Sequence, residues 1–454
     1  MAKISSYRNI LSIILCIAVF IAAASCSDIY EDDFRIDTSN PTLKRPGSTL
    51  LNVEENDRNV FIMFSFGYNN LSMDLQADIE EMLTGDVPSY RIEDDVVLVL
   101  SHKTAKYYDY KTPSAPALIQ YYKDQKGRLV RDTLKVFADT TVASRKAIVK
   151  DVLTLAKDIF PARSYGMLLS SHGTGWAPEK YCYSPPDKSS AIFPFQMNSS
   201  SFQGLEKYEE EHPLVKSIGS HYAGRASESI EIEIPDLADA IPMHLDYIIF
   251  DACFMGGVEV AYELKDKCDR ICFSQTEILS SGMDYKNLLS HIFSDSGADL
   301  EAIASDYYDL YRNQSGYMRS ATVSVVDCRM LDPLAEVVKD NAALIRSLSA
   351  DQTSRKKVQG YYRTENSVYI RCHGIFFDLY DILAEAGASE SDLLKAQDAL
   401  EECITQKFAT DWFMNDFKIE TFSGLSMYLQ DSERTILNSY YKSLRWNQAT
   451  GMIE

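Results

Sequence analysis

Two apolar runs in this chain each end abruptly in one reactive side chain followed by small residues. The first is Leu168-Leu169-Ser170-Ser171-His172-Gly173-Thr174-Gly175-Trp176, and the second Ile248-Ile249-Phe250-Asp251-Ala252-Cys253-Phe254-Met255-Gly256-Gly257. A run without polar alternation is buried on both faces, as a central strand of a helix-covered parallel sheet must be. A glycine-bearing turn after such a strand sets the next side chains at the carboxyl edge of the sheet, where open α/β folds hold their ligands. A histidine and a cysteine delivered to that edge suggest a cysteine hydrolase.

The surrounding sequence repeats the alternation. Residues 60–66 and 96–101 read as strands, and 71–83 as an amphipathic helix with apolar Leu71, Leu75, Ile79, Met82 and Leu83. Segments 118–122 and 128–135 flank the turn Asp124-Gln125-Lys126-Gly127 as a hairpin, and 143–159 has helical spacing that stops before Pro161. Strands are expected over 165–171, 247–252 and 270–275, and a helix from 258 to 264. This pattern predicts an α/β fold with a mostly parallel central sheet and helices on both faces. Beyond Val326 the chain reads as largely helical, over 331–348, 376–386 and 391–408. A strand-like segment at 424–429 and a helix near 436–446 follow. No internal repeat is visible.

The length of 454 residues permits two or three domains, or one large domain with an appendage. A net charge of −21 argues against nucleic acid or anionic membrane as the main partner and suits a soluble domain that attracts cationic peptides. Lys3 and Arg8 precede an apolar stretch, 10–24, that is too short for a stable spanning helix. It ends Ala22-Ala23-Ala24-Ser25-Cys26, which resembles a bacterial lipoprotein signal with Cys26 as the acylated residue, although Ala23 stands where leucine is usual. A simple secretory signal is the alternative. Residues 1–25 would then be the signal peptide, and their removal leaves −23 (−21 − 2). Residues 26–50 form a polar tether containing Asp28, Glu31, Asp32, Asp33, Asn40-Pro41 and Arg45-Pro46-Gly47, too hydrophilic to fold alone. The expected location is the cell envelope of a Gram-negative bacterium, with the outer membrane as the expected site of the lipid anchor. Oligomeric state is not legible.

After Cys16 and Cys26, seven cysteines remain: Cys182, Cys253, Cys268, Cys272, Cys328, Cys372 and Cys403. An odd number in an exported protein leaves at least one thiol free. No CxxC pair or His/Cys spacing reads as a zinc site, and no EF-hand-like loop appears, so neither metal nor other cofactor is expected. Calcium dependence is left open. A free thiol, with a pKa near 8.5, is mostly protonated at neutral pH and needs a nearby imidazole to become a good nucleophile. His172 can take that proton and return it to a leaving amine. The N–H groups of Gly173 and Cys253 could bind the developing oxyanion. Gly256 and Gly257 would let the following helix start close to the sheet. Neither motif reserves an orienting carboxylate. A lone cysteine is more often buried filler and a lone histidine a satisfied polar residue. Both together at strand ends beside glycine favour a dyad.

Ser171–Trp176 and Phe250–Glu259 resemble the two signature blocks of the clostripain family of cysteine peptidases, relatives of the caspases, gingipains and legumain. Asn69-Asn70-Leu71-Ser72, the helix holding Asp78 to Leu83, Phe160-Pro161-Ala162-Arg163-Ser164-Tyr165-Gly166 and Gly424-Leu425-Ser426-Met427-Tyr428 extend the likeness from about Asn59 to the C-terminus. The resemblance implies a caspase-like α/β/α sandwich, with a peptidase domain over 51–328 and a mainly helical C-terminal region over 329–454 packed on it. It makes Cys253 the nucleophile and His172 the general base and acid. It also implies cleavage after arginine or lysine, with Asp251 and Asp284 as candidate substrate-binding carboxylates. Asp251 could alternatively cap the helix that follows. Ser274-Gln275-Thr276-Glu277 stands where the family usually has Ser-Glu, and Met283 where tryptophan is common, so the departures fall beside that pocket. The resemblance also makes segment 176–229 a candidate activation loop, with Lys180, Lys188, Lys207, Lys216 and Arg225 as candidate self-cleavage sites; an ordinary surface insertion is the alternative. The expected protein is a lipid-anchored cysteine endopeptidase acting on peptides and proteins. Its rivals are a catalytically silent surface lipoprotein that binds peptides, and an amidase or transpeptidase using the same thiol.

Overall fold

The apolar runs become strands of one ten-stranded sheet in a computed structural model, which describes residues 58–69, 71–90, 95–106, 109–138, 146–179, 181, 232–363 and 374–454. In chain order the strands are β1 (Asn59–Gly67), β2 (Val96–Lys106), β3 (Asp109–Pro113), β4 (Ala117–Lys123), β5 (Leu129–Val136), β6 (Ser164–Ser170), β7 (Leu245–Asp251), β8 (Cys268–Phe273) and β9 (Thr322–Asp327). The short β10 (Phe377–Asp378) lies outside this sheet, pairing with Ser426–Met427, and β11 (Ile404–Ala409) completes it. The order is β11-β9-β8-β7-β6-β1-β2-β4-β5, with β3 paired to β2. The five contiguous strands β8-β7-β6-β1-β2 run parallel, and antiparallel strands finish both edges. These central strands are the ones whose sequence lacks polar alternation: Val60 to Phe64 and Val96 to Leu100 are buried throughout.

Two groups of helices flank the sheet. One comprises α1 (Ser72–Leu83), α5 (Tyr285–Ile292) and α6 (Leu300–Arg312), which pack on one another. The other runs through α2 (Lys146–Ile159), α3 (Ile234–Ala240) and α4 (Val258–Leu264). The C-terminal region adds α7 (Leu331–Asp340), α8 (Ala342–Ala350), α9 (Gln352–Arg355), α10 (Leu379–Glu385), α11 (Glu390–Cys403), α12 (Thr435–Tyr441) and α13 (Arg445–Thr450). Helix α13 packs against both α4 and α7. The result is the expected α/β/α sandwich. From β1 the chain crosses to β2 on one side and later returns to β6 on the other, so the strand order reverses between β1 and β6. At such a switch point the carboxyl ends of the strands open a crevice.

Several expectations change in detail. The helix expected over 331–348 divides at Asn341, whose side-chain Nδ2 donates to the Val337 carbonyl at 2.9 Å. Residues 404–408, expected to continue a helix, instead form β11 antiparallel to β9. There the exposed edge of β9 supplies backbone partners, and Ile404, Thr405 and Phe408 suit a pleated surface. The segment 424–429 contributes only Ser426–Met427 as strand, and 436–446 divides between α12 and α13. The apolar run Thr322-Val323-Ser324-Val325-Val326 forms β9, which was not anticipated. The signal peptide, tether and Cys26 lie outside the described residues, as do all five candidate self-cleavage sites. Of the 176–229 insertion, Trp176, Ala177 and Tyr181 are described and buried.

Close packing within β6 and β7 gives a direct test. A Cβ added at Gly166 would lie 1.9 Å from Cζ of the Tyr247 ring, its register partner. Gly166→Ala should therefore destabilise the fold by roughly 1–3 kcal/mol or more through overpacking, read as a lower urea midpoint at unchanged slope.

Candidate active site

The parallel register of β6 and β7 pairs Leu169 with Phe250 and Ser170 with Asp251. Neighbouring strands lie roughly 4.8 Å apart. Continued two residues further, the same register brings the His172 turn level with the Cys253 turn. The turns meet through backbone. A Cβ at Gly173 would lie 2.5 Å from the Cys253 carbonyl oxygen and 3.0 Å from its nitrogen, so only glycine fits. Gly175, at φ +61°, approaches the Phe254 carbonyl just as closely, with 2.6 Å left for a Cβ. His172 itself is half-buried at the crevice edge.

Cys253 begins a sharp strand-to-helix turn. Its neighbour Phe254 has φ +61°, a left-handed conformation that costs a non-glycine residue energy. The turn is held by Phe254 N–H donating to the Thr276 carbonyl at 2.9 Å and Gly256 N–H donating to Ser274 at 2.7 Å. The Phe254 ring stacks on Phe376 with centroids 4.8 Å apart. Nucleophile turns of hydrolases store strain in a similar way. The Cys253 Sγ accepts the Ile278 N–H at 3.1 Å and donates to the Ile278 carbonyl at 3.7 Å. The thiol is also fully buried beneath this segment. A peptide carbonyl could reach it only after rotation about Cα–Cβ or a shift of residues 277–279. Cys268, Cys272, Cys328 and Cys403 are also free and buried, and burial pushes the Cys272 and Cys403 thiols up to about 12. Those two are inert at neutral pH.

The carboxylates are placed differently from one another. Asp251 is fully buried and accepts from Ser170 Oγ at 2.8 Å and from the Tyr285 hydroxyl. The capping position of α4 falls to Gly257 instead. Burial, reinforced by Asp251, pushes the Tyr285 hydroxyl well above its ordinary value of 10, so it remains a neutral donor. Asp284 is half-buried and caps α5, accepting from Asn287 N–H at 3.3 Å and from its side-chain Nδ2 at 2.9 Å. Gln275 stands behind the Cys253 turn: its Nε2 donates to Ser324 Oγ at 2.7 Å and to the Gly424 carbonyl at 2.8 Å. A Cβ at Gly256 would meet that amide at 2.5 Å. Beside Ile278, Glu277 and Arg363 form a buried ion pair at 2.7 Å. Among the described residues, no group of three His, Cys, Asp or Glu side chains is arranged to hold a metal.

Sequence reasoning missed Tyr285 and the Glu277–Arg363 pair, since neither carries a local signal. It also gave no role to Glu259, although a carboxylate in Val258-Glu259-Val260-Ala261-Tyr262-Glu263-Leu264, a helix buried throughout, was a visible anomaly. Glu259 Oε1 accepts the Tyr428 N–H at 2.8 Å and the Tyr441 hydroxyl at 2.9 Å. Burial raises its pKa to about 7 against these hydrogen bonds.

The sequence model of the clostripain family matches residues 218–451, just over half of the chain, including the Cys253 turn. The chain belongs to the clostripain family of cysteine peptidases. Clostripain of Hathewaya histolytica is 23% identical over 470 residues, covering 90% of this chain and 82% of that protein. Among solved structures, an inactive zymogen C11 protease from Parabacteroides distasonis superposes with a TM-score of 0.63 at 24% identity, over 87% of this chain and 99% of its own. A secreted C11 cysteine protease from Bacteroides thetaiotaomicron, iotapain, gives 0.65 at 21% identity, over 87% and 100%. These two likenesses establish the shared clostripain-family fold.

The ion pair beside the thiol yields a measurable consequence. Arg363→Met removes the cation paired with buried Glu277 and should cost about 3–5 kcal/mol in denaturant unfolding. Adding Glu277→Gln should restore most of that loss.

Proposed function

We propose that this clostripain-family peptidase is an exported, lipid-anchored endopeptidase that cleaves after arginine or lysine through Cys253 and His172. The observation that carries the reading is the seating of Gly173 on the Cys253 main chain, which leaves His172 and the thiol on adjoining turns at one sheet edge. His172 takes the Cys253 proton, and the thiolate attacks the scissile carbonyl. The Gly173 and Cys253 N–H groups receive the oxyanion, and His172 returns the proton to the leaving amine. Water then resolves the acyl-enzyme by the same route.

Asp251 lies two residues before the nucleophile and, with the half-buried Asp284, is the candidate partner of a basic P1 side chain. A guanidinium meets a carboxylate through two parallel bonds, an arrangement that an ammonium cannot copy. Because the thiol is covered in this arrangement, access requires the Cys253 side chain to turn from Ile278 or residues 277–279 to move aside. A C11 protease of B. thetaiotaomicron has been solved with an irreversible peptide inhibitor, and a relative from the same organism is described as secreted, which supports both the chemistry and the export. Anchoring would run through acylated Cys26 at the end of the signal segment.

Cys253→Ala and His172→Ala should each reduce hydrolysis of arginyl and lysyl peptide reporters by at least a thousandfold. Full residual activity would overturn the dyad. Asp251→Asn should raise KM for arginyl reporters or erase the basic preference, and an unchanged P1 profile would remove Asp251 from the pocket. Cys26→Ser should shift the protein from membrane to soluble fractions. The covered thiol also admits the silent peptide binder, which an arginyl electrophile distinguishes by failing to label Cys253.

A further inference from the structure

We propose that Glu259 is a positioning residue whose ionised carboxylate locks the histidine turn against the nucleophile turn. The proposal rests on the reading of Cys253 and His172 as the reacting pair, and concerns what holds them in register.

Three segments distant in sequence converge on this side chain. Glu259 sits in the first turn of α4, directly after the nucleophile turn. Its Oε1 fixes the Tyr428 backbone and the Tyr441 hydroxyl. Those two rings enclose Trp176, the last residue of the histidine motif, at centroid distances of 5.0 and 4.8 Å. Ser426, two residues before Tyr428, donates its N–H to the Gly256 carbonyl at 2.9 Å. The carboxylate thus ties the indole following His172 to the helix following Cys253.

Two unmatched atoms point to a further contact. Glu259 Oε2 and Trp176 Nε1 are both buried without a hydrogen-bond partner among the described residues. Both border the space beside Gly257, where a Cβ would lie 2.9 Å from Oε2 and 3.7 Å from Trp176 Cδ1. One atom is an acceptor and the other a donor. A small shift of the indole would close a charge-assisted bond to ionised Glu259 that a protonated carboxyl offers less strongly.

The surrounding charges do not neutralise this group. On α4 itself, Glu263 accepts from Arg445 N–H at 3.0 Å, while the Arg445 guanidinium reaches Asp266. On α3, Asp236 and Asp239 hold Lys146 at 3.0 and 2.8 Å. Arg434, before α12, pairs with Asp431 at 3.2 Å, and Arg329, in the short turn beneath α4, pairs with Asp327 at 2.7 Å. Lys265, after α4, pairs with Asp332. Burial therefore prevails and holds the Glu259 pKa at about 7. With the folded value above the ordinary 4.5, the native state binds the proton more tightly than the unfolded chain. Stability from this source is complete below about 4.5 and lost as pH rises through about 7. Ionisation costs stability, so a structural role alone would favour an uncharged side chain here.

Glu259→Gln keeps the shape and removes the charge. In the otherwise unaltered chain it should lower kcat about tenfold at pH 8, leave KM within twofold, and match the parent at pH 5.5. The parent's acid-limb ionisation near 7 should vanish, while Tm at pH 8 rises. A kcat profile identical to the parent's would overturn the proposal. So would a fall of kcat together with Tm at every pH, the mark of a merely structural residue. A second readout needs no activity. In the Cys253→Ala chain, tryptophan emission should titrate with a midpoint near 7, and the change should disappear with either Glu259→Gln or Trp176→Phe. Persistence of the titration in Glu259→Gln, or its absence in the parent, would overturn the proposal even if the dyad is right. Full hydrolysis by Cys253→Ala would instead overturn the dyad alone.

Discussion

The contact on which the site depends is between backbone and backbone. Parallel β6 and β7 align Ser170 with Asp251, and two residues later the turns carrying His172 and Cys253 stand side by side. Gly173 closes the remaining gap, because no side chain fits between its Cα and the Cys253 peptide. With both faces of these strands apolar, polar alternation cannot set the register; close packing does, as where Gly166 leaves the space that the ring of its partner Tyr247 fills. The packing of β6 on β7 in this register therefore also aligns the His172 and Cys253 turns.

Holding the turns in shape is the work of a segment far along the chain. The Gly424 carbonyl takes bonds from both Gln275 and Ser324, and Ser426 N–H reaches the Gly256 carbonyl. Tyr428 N–H continues the same line to Glu259. The strained Phe254 backbone persists because this scaffold and segment 274–276, which follows β8, fix it from two sides. The C-terminal region is thus part of the site as well as a cover for one face of the sheet.

These observations explain what was legible in the sequence. The central strands, α4 and the two reactive turns could be read because fully apolar runs and glycine punctuation are local signals. Residues 404–408 could not, because their pattern fits a helix end or an edge strand, and only the open side of β9 decides between them. Gln275 was legible only as a departure beside the expected pocket; that it is fully buried behind the Cys253 turn, bonded to Ser324 and Gly424, is a fact of tertiary structure. Tyr285 bears on Asp251 only because α5 packs at the carboxyl edge, a fact of tertiary structure with no trace in neighbouring residues.

The buried carboxylates near this edge share one solution to the cost of burial. Asp251 is bonded by Tyr285, Glu259 by Tyr441 at 2.9 Å, and Asp378 by Tyr361 at 2.6 Å. Burial drives all three tyrosines well above 10, so each stays a neutral donor across the working pH range. A lysine or arginine in the same place would give a stronger single contact, but it would cancel the charge. Tyrosine satisfies a lone pair and leaves the negative field in place. Glu277, which takes Arg363, shows the other choice in the same layer. Hydroxyl donors, unlike a guanidinium, bring no positive charge to Asp251, Glu259 and Asp378. The same choice leaves each carboxylate dependent on a few hydrogen bonds, and for Glu259 these do not offset burial, which is why its proton comes off near neutrality.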